Sequence, residues 1–266
     1  MAHSHRDRLA HIVKQFAELP EVRAIALAGS QATGLANNDS DFDVYVFTQA
    51  PLTNGQRLAM SRHLSSSTQW VDAWGPSIEW EDPLAGARID AIFFEAAWLE
   101  DQLDKVLLRH EASLGYSTCF WHTLRVSQPL YDRADWLAGL QQRAFSAYPE
   151  TLRQNILALN GSVLRGTQAS YREQIAKALA RNDWVSVNHR IAALLASIFD
   201  IVFALNRQTH PGEKRLLDHT SHSCAVLPDN FRALVLALVH PDDQDPAIIL
   251  ATVDALVAEI TRLIKP

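Results

Sequence analysis

Residues 27–47 read LAGSQATGLANNDSDFDVYVF. An apolar run leads into Gly29 and Ser30, a polar loop follows, and a second apolar run begins at Phe42, where two acids, Asp41 and Asp43, stand one residue apart. Val22–Ala28 and Phe42–Phe47 have the apolar, β-branched and aromatic content of short strands. Alternate side chains of an extended chain share a face, so Asp41 and Asp43 are expected to point the same way, about 7 Å apart. Their repulsion is a cost that a bound divalent cation reverses. Magnesium prefers oxygen ligands and takes one or two carboxylates together with phosphate oxygens, so this pair suits a nucleotide-bound metal. At the other end of the loop, Gly29 has no side chain to keep backbone N–H groups away from a phosphate. Ser30 adds a hydroxyl donor at the start of a helical turn.

Outward from this stretch, Arg6–Leu19 carries apolar residues at helical spacing (Leu9, Ile12, Val13, Phe16) and is ended by Pro20. Gln56–Leu64 reads as a helix. Ser77–Glu81 and Arg88–Phe94 read as two strands around the turn DPLAG. Asp90 interrupts the otherwise apolar ARIDAIFF and is the candidate third acid, to complete a metal site or to take the proton of an attacking hydroxyl. The alternative is a buried acid paired with Arg88 or with a capping group. Glu79 and Glu81 fall in the same hairpin, as base, substrate ligand or a solvated face. Helix, strand, loop, strand, helix and hairpin make an α+β unit with a mixed sheet.

After about Glu95 the pattern turns helical. Residues 97–110, 135–146, 150–165, 171–180, 184–206 and 247–264 all fit helices, with Asn182 or Asp183 as N-cap of the longest. The expected organisation is a sheet domain over residues 1–115 and an all-helical domain over 116–266. In the second, Pro211-Gly212 makes a turn, after which Glu213-Lys214-Arg215 is expected to open a helix. Asp200 lies within an apolar helix, where an unpaired charge is expensive, so it either faces substrate or pairs with a core Arg or His. His210, His219 and His222 lack regular metal-ligand spacing, which speaks against zinc.

The chain has 266 residues, 48% hydrophobic and 20% charged, with net charge -6 and a pI of about 6.0. No global basic field favours a nucleic-acid backbone, and a cationic small molecule suits this surface better. Cys119 and Cys224 have no CxxC spacing and read as reduced thiols. The N-terminus lacks the apolar core of a signal peptide. The longest apolar run, IAALLASIFDIVFAL from Ile191, is too short to span a bilayer and contains Asp200. It reads as a buried core helix, and the expected location is the cytoplasm, with no membrane partner.

The segment GSQATGLANNDSDFDV resembles the signature of the polymerase β-like nucleotidyltransferases: Gly-Ser, a loop, then Ser-Asp-x-Asp. The spacing from Gly29-Ser30 to Ser40-Asp41-Phe42-Asp43 is similar to that of small bacterial members, which include aminoglycoside nucleotidyltransferases and the minimal enzymes of toxin–antitoxin pairs. Relatives often carry arginine where Thr33 stands here. The resemblance implies a nucleotidyltransferase domain in which Asp41 and Asp43 bind magnesium, Gly29 and Ser30 hold the triphosphate, and Asp90 matches the third acid. By the same resemblance Lys214, with Arg215 second, contacts the triphosphate from the helical domain. The implied reaction transfers a nucleoside monophosphate, AMP from ATP, to a hydroxyl of a small molecule such as an aminoglycoside-like antibiotic, with magnesium as cofactor. The alternatives are modification of a macromolecule, a tRNA end or a protein side chain, and a non-catalytic nucleotide-binding relative.

Overall fold

The computed structural model describes residues 2–34, 41–61, 64, 67–73, 75–82, 87–240 and 245–265. The chain divides into two compact units: residues 1–103 with 123–146, and residues 104–122 with 147–266.

The first unit is built on a six-stranded mixed sheet. In chain order its elements are α1 (Ala2–Ala17), β1 (Val22–Leu27), α2 (Gly29–Thr33), β2 (Phe42–Thr48), α3 (Asn54–Ser61), β3 (Gln69–Val71), β4 (Ser77–Asp82) and β5 (Ala87–Glu95). Then come α4 (Ala96–Leu107), α5 (Cys119–Val126), β6 (Gln128–Asp132) and α6 (Trp136–Ala144), with the unit boundaries falling inside α4 and α5. The strand order is β3-β4-β5-β2-β1-β6; β2 and β5 run parallel and every other pair is antiparallel. The expected hairpin is β4–β5, with Glu79 opposite Asp90.

One sheet face packs against α1. Leu9, Ile12, Val13 and Phe16, the residues at helical spacing, are buried with Val44, Val46, Ile78, Trp80, Ile89, Ala91 and Phe93. Each apolar side chain buried this way contributes roughly 1.5–3 kcal/mol. Because side chains alternate, this burial forces Asp43, Tyr45, Asp90 and Ile92 onto the opposite face. Toward the ends of β2 and β5 that face is aromatic: Tyr45 meets Phe94 edge-on at 5.2 Å between ring centres, and Phe94 stacks on Trp98 at 5.3 Å.

The second unit is helical, with α7 (Glu150–Ser162), α8 (Tyr171–Ala180), α9 (Trp184–Leu205), α10 (Leu216–Ser223), α11 (Phe231–Val239) and α12 (Pro246–Ile264). Asp183 caps α9 by accepting from the Ser186 N–H at 3.1 Å and from the Ser186 hydroxyl at 2.6 Å. At 22 residues α9 is longer than its apolar run and is long and apolar enough to cross a membrane, yet 67% of that apolar window is buried inside the protein. The expected helix opening at Glu213-Lys214-Arg215 is displaced: α10 begins at Leu216, because Arg215 takes a left-handed conformation, φ +53°, that helical residues do not adopt.

Candidate active site

The acids of the opening stretch lie where three strands meet. Asp43 is the second residue of β2, and in the parallel β2–β5 register it stands beside Asp90. Neighbouring strands are about 5 Å apart, so the two carboxylates are side by side on the face away from α1. On the far side of Asp90 comes Glu79 of β4. Asp41 sits immediately before β2 and is exposed. The sheet order therefore sets a row across one face: the end of β1, Asp43, Asp90, Glu79.

Gly29 closes the β1 end of that row. It follows β1, has φ +60°, and is so close to Asp43 that a Cβ added to it would fall 1.7 Å from Asp43 Oδ2. Both the backbone conformation and the close approach require glycine here. The Ala28 N–H donates to the Asp43 carbonyl at 2.8 Å, tying the glycine turn to β2. Gln128 of β6 donates from Nε2 to the carbonyl of Ala32 at 2.9 Å and so steadies α2, on which Gly29 and Ser30 stand.

Charge is unevenly satisfied along the row. Arg88 does not pair with Asp90; its guanidinium donates to Glu79. Asp90 Oδ1 is buried and has no hydrogen-bond partner among the described residues. Burial, then the negative charges of Glu79 and Asp43, push the Asp90 carboxyl up to about 6, with Arg88 opposing. A buried carboxylate oxygen without a donor, beside a second carboxylate, suits a hard divalent cation. Asp43 and Asp90, with Asp41, are the residues that could hold one. Among the described residues no three His, Cys, Asp or Glu side chains form a metal cluster by themselves. A cation here would complete its shell with phosphate oxygens and water, as magnesium commonly does.

The structure thus brings Gly29, Asp43 and Asp90 together. Asp41 lies near enough for its charge to raise the Asp90 carboxyl further. Ser30 is in α2, and Ser40 lies outside the described residues. Lys214 and Arg215 belong to the second unit, both exposed, at the turn before α10. Sequence reasoning left Glu79 open among several roles; the signal that singles it out is strand alternation in the β4–β5 hairpin, which sets it opposite Asp90. Gln128 had no local signal, since its contact with Ala32 spans 96 residues of chain.

Comparison with known proteins adds the family. Residues 7–110 match the model described as Nucleotidyltransferase domain, and residues 123–216 match one described as Domain of unknown function (DUF4037). No curated protein matches the chain. Among solved structures it is similar to a nucleotidyltransferase-like protein from Exiguobacterium sibiricum, at 12% identity over 96% of this chain and 72% of that one, with a TM-score of 0.47. It is also similar to the spectinomycin adenyltransferase AAD(9) from Enterococcus faecialis, solved with ATP and spectinomycin, at 10% identity over 97% of this chain and 99% of that one, TM-score 0.32. The segment that carries Gly29, Asp41, Asp43 and Asp90 thus falls within the match to a nucleotidyltransferase domain.

Proposed function

We propose that the protein is a magnesium-dependent nucleotidyltransferase that moves AMP from ATP to a hydroxyl of a small molecule and releases pyrophosphate. The observation that carries this is the juxtaposition of Asp43 and Asp90 in one register, with Asp90 Oδ1 buried and without a hydrogen-bond partner among the described residues, and with Gly29 held against Asp43. In this reading Asp41, Asp43 and Asp90 hold the cation, which supplies charge neutralisation at the transferred phosphate. Gly29 and Ser30 present backbone N–H groups to the phosphates.

The acceptor oxygen forms a bond to the α-phosphorus while the bridging α–β bond breaks, and pyrophosphate leaves with the electron pair. The hydroxyl proton goes to Asp90 or to the neighbouring Glu79. The row across the sheet supports this polarity, with the phosphate turn at the β1 side of Asp43 and Glu79 at the far side of Asp90. An acidic face and a net charge of -6 favour a polycationic, aminoglycoside-like acceptor, and the location is cytoplasmic.

The test is incubation with magnesium, each NTP in turn and a panel of aminoglycosides, lincosamides and tRNA, read as pyrophosphate release and product mass. The expected result is an adduct heavier by one AMP on a small cationic acceptor, lost in Asp43→Asn. An Asp43→Asn protein that releases as much pyrophosphate as wild type would sink the assignment.

A further inference from the structure

The side of the first unit that holds α1 carries a cleft that nucleotidyl transfer does not use. It opens between α1 and α3, both in the first unit, and its volume of about 360 Å³ suits a small molecule. Phe16 and Met60, 1% and 6% exposed, belong to its apolar part together with Leu19 and Ala59. Its polar part comes from α1 and the turn that ends it: His11, Lys14, Gln15 and Glu18. Asp43 and Asp90 face away from α1, so this cleft and the acidic row belong to different faces of the sheet.

Gln15 is the residue whose bonding is incomplete. Its Nε2 donates to His11 Nε2 at 3.3 Å, so the nitrogen end of the amide is engaged. Its Oε1 is buried and accepts no hydrogen bond from the described residues. A buried amide oxygen without a donor is destabilising, and an N–H or O–H brought by a ligand removes that cost. The charges nearby have both signs. Lys14 and Glu18 are exposed, and the Glu18 N–H donates to the Lys14 carbonyl at 3.2 Å, so the two stand one helical turn apart.

We propose that the α1–α3 cleft binds a free aromatic amino acid whose ring carries an N–H or O–H donor. Each part of such a molecule has a counterpart in the lining: the carboxylate goes to Lys14, the ammonium to Glu18 and the ring donor to Gln15 Oε1. The ring lies against Phe16 and Met60, and a thioether beside an aromatic ring is a favourable contact. A nucleotide suits the cleft less well, because its phosphate would meet Glu18 as well as Lys14.

The probes are L-tryptophan, L-tyrosine, L-phenylalanine and tryptamine, each titrated calorimetrically against the full chain in EDTA, so that no metal-dependent site contributes. Phenylalanine keeps the ring and both charges but has no ring donor, and it is expected to bind about fivefold more weakly than the better of tryptophan and tyrosine. Gln15→Leu keeps the bulk and removes the acceptor; it is expected to erase that difference while phenylalanine binding stays as it was. Lys14→Ala, at an exposed position where folding is not at stake, is expected to weaken tryptophan and leave tryptamine, which has no carboxylate, unchanged. Ala59→Phe, also at an exposed position, fills the cleft and is expected to abolish binding of all four, with thermal unfolding confirming that the variant is folded. The proposal is overturned if neither tryptophan nor tyrosine binds, if phenylalanine binds as well as they do, or if their advantage survives Gln15→Leu.

Discussion

Gly29 is the position where one atom decides most. Its φ of +60° disfavours any L side chain, and the space a Cβ would need is filled by the Asp43 carboxylate. Gly29→Ala must therefore push the carboxylate out of line, and misplacement by about 1 Å can cost about a hundredfold in rate. We expect Gly29→Ala to lose about two orders of magnitude in pyrophosphate release and to lower unfolding stability by about 1 kcal/mol or more, because the new Cβ is strained at this φ; steady-state kinetics beside calorimetry checks both.

Asp200 is the second decisive residue, and its prediction concerns pH. Burial pushes its carboxyl up to about 7, against the opposing effect of the Ser117 and Asn160 hydrogen bonds. An unfolded aspartate titrates near 3.9, so between roughly pH 4 and pH 7 the native state keeps a proton that the unfolded chain releases. The contribution is thus full below the unfolded value and is lost as pH rises through the native one, by at most about 4 kcal/mol. Urea unfolding should show wild-type stability falling from pH 5 to pH 8 relative to Asp200→Asn. A pH-independent difference would refute this.

At the scale of elements, the four inner strands and most helices are legible in the sequence, and the two outer strands are not. β1, β2, β4 and β5 carry apolar runs because at least one of their faces is buried. β3 has three residues and β6 is QPLYD, and these are the two edges of the sheet. An edge strand is held by pairing to one neighbour, so little in its own composition announces it.

The start of α6 shows the same dependence on context. Ala134 and Asp135 both have positive φ, and the helix is capped by Asp132, whose carboxylate accepts from the Leu137 and Ala138 N–H groups at 2.9 Å each. Asp132→Ala should lower unfolding stability by about 1 kcal/mol, with Asp132→Asn losing less, as a cap should. Equal losses from both variants would point to a role other than capping.

For the molecule as a whole, binding and stability are linked. A ligand that binds only the native state raises stability by about 2.7 kcal/mol at a hundredfold excess over its dissociation constant. Magnesium with a non-hydrolysable ATP analogue should therefore raise the unfolding temperature of the wild-type chain. EDTA should reverse the rise and Asp43→Asn should abolish it. An equal rise without magnesium would show that the carboxylates are not the metal site.

The α+β class, the strands flanking the loop and the pairing of glycine with two acids are legible in the chain alone because they are local: periodicity, turn chemistry and spacing need no distant partner. Tertiary structure decided which residues face one another. That Arg88 goes to Glu79 and leaves Asp90 Oδ1 without a partner among the described residues follows from strand register, which a single residue of slippage would invert. That Asp200 meets Ser117 and Asn160 rather than a core Arg or His follows from how the loop folds over α9. Contacts between residues about 40 and 80 positions apart depend on packing that no local pattern records.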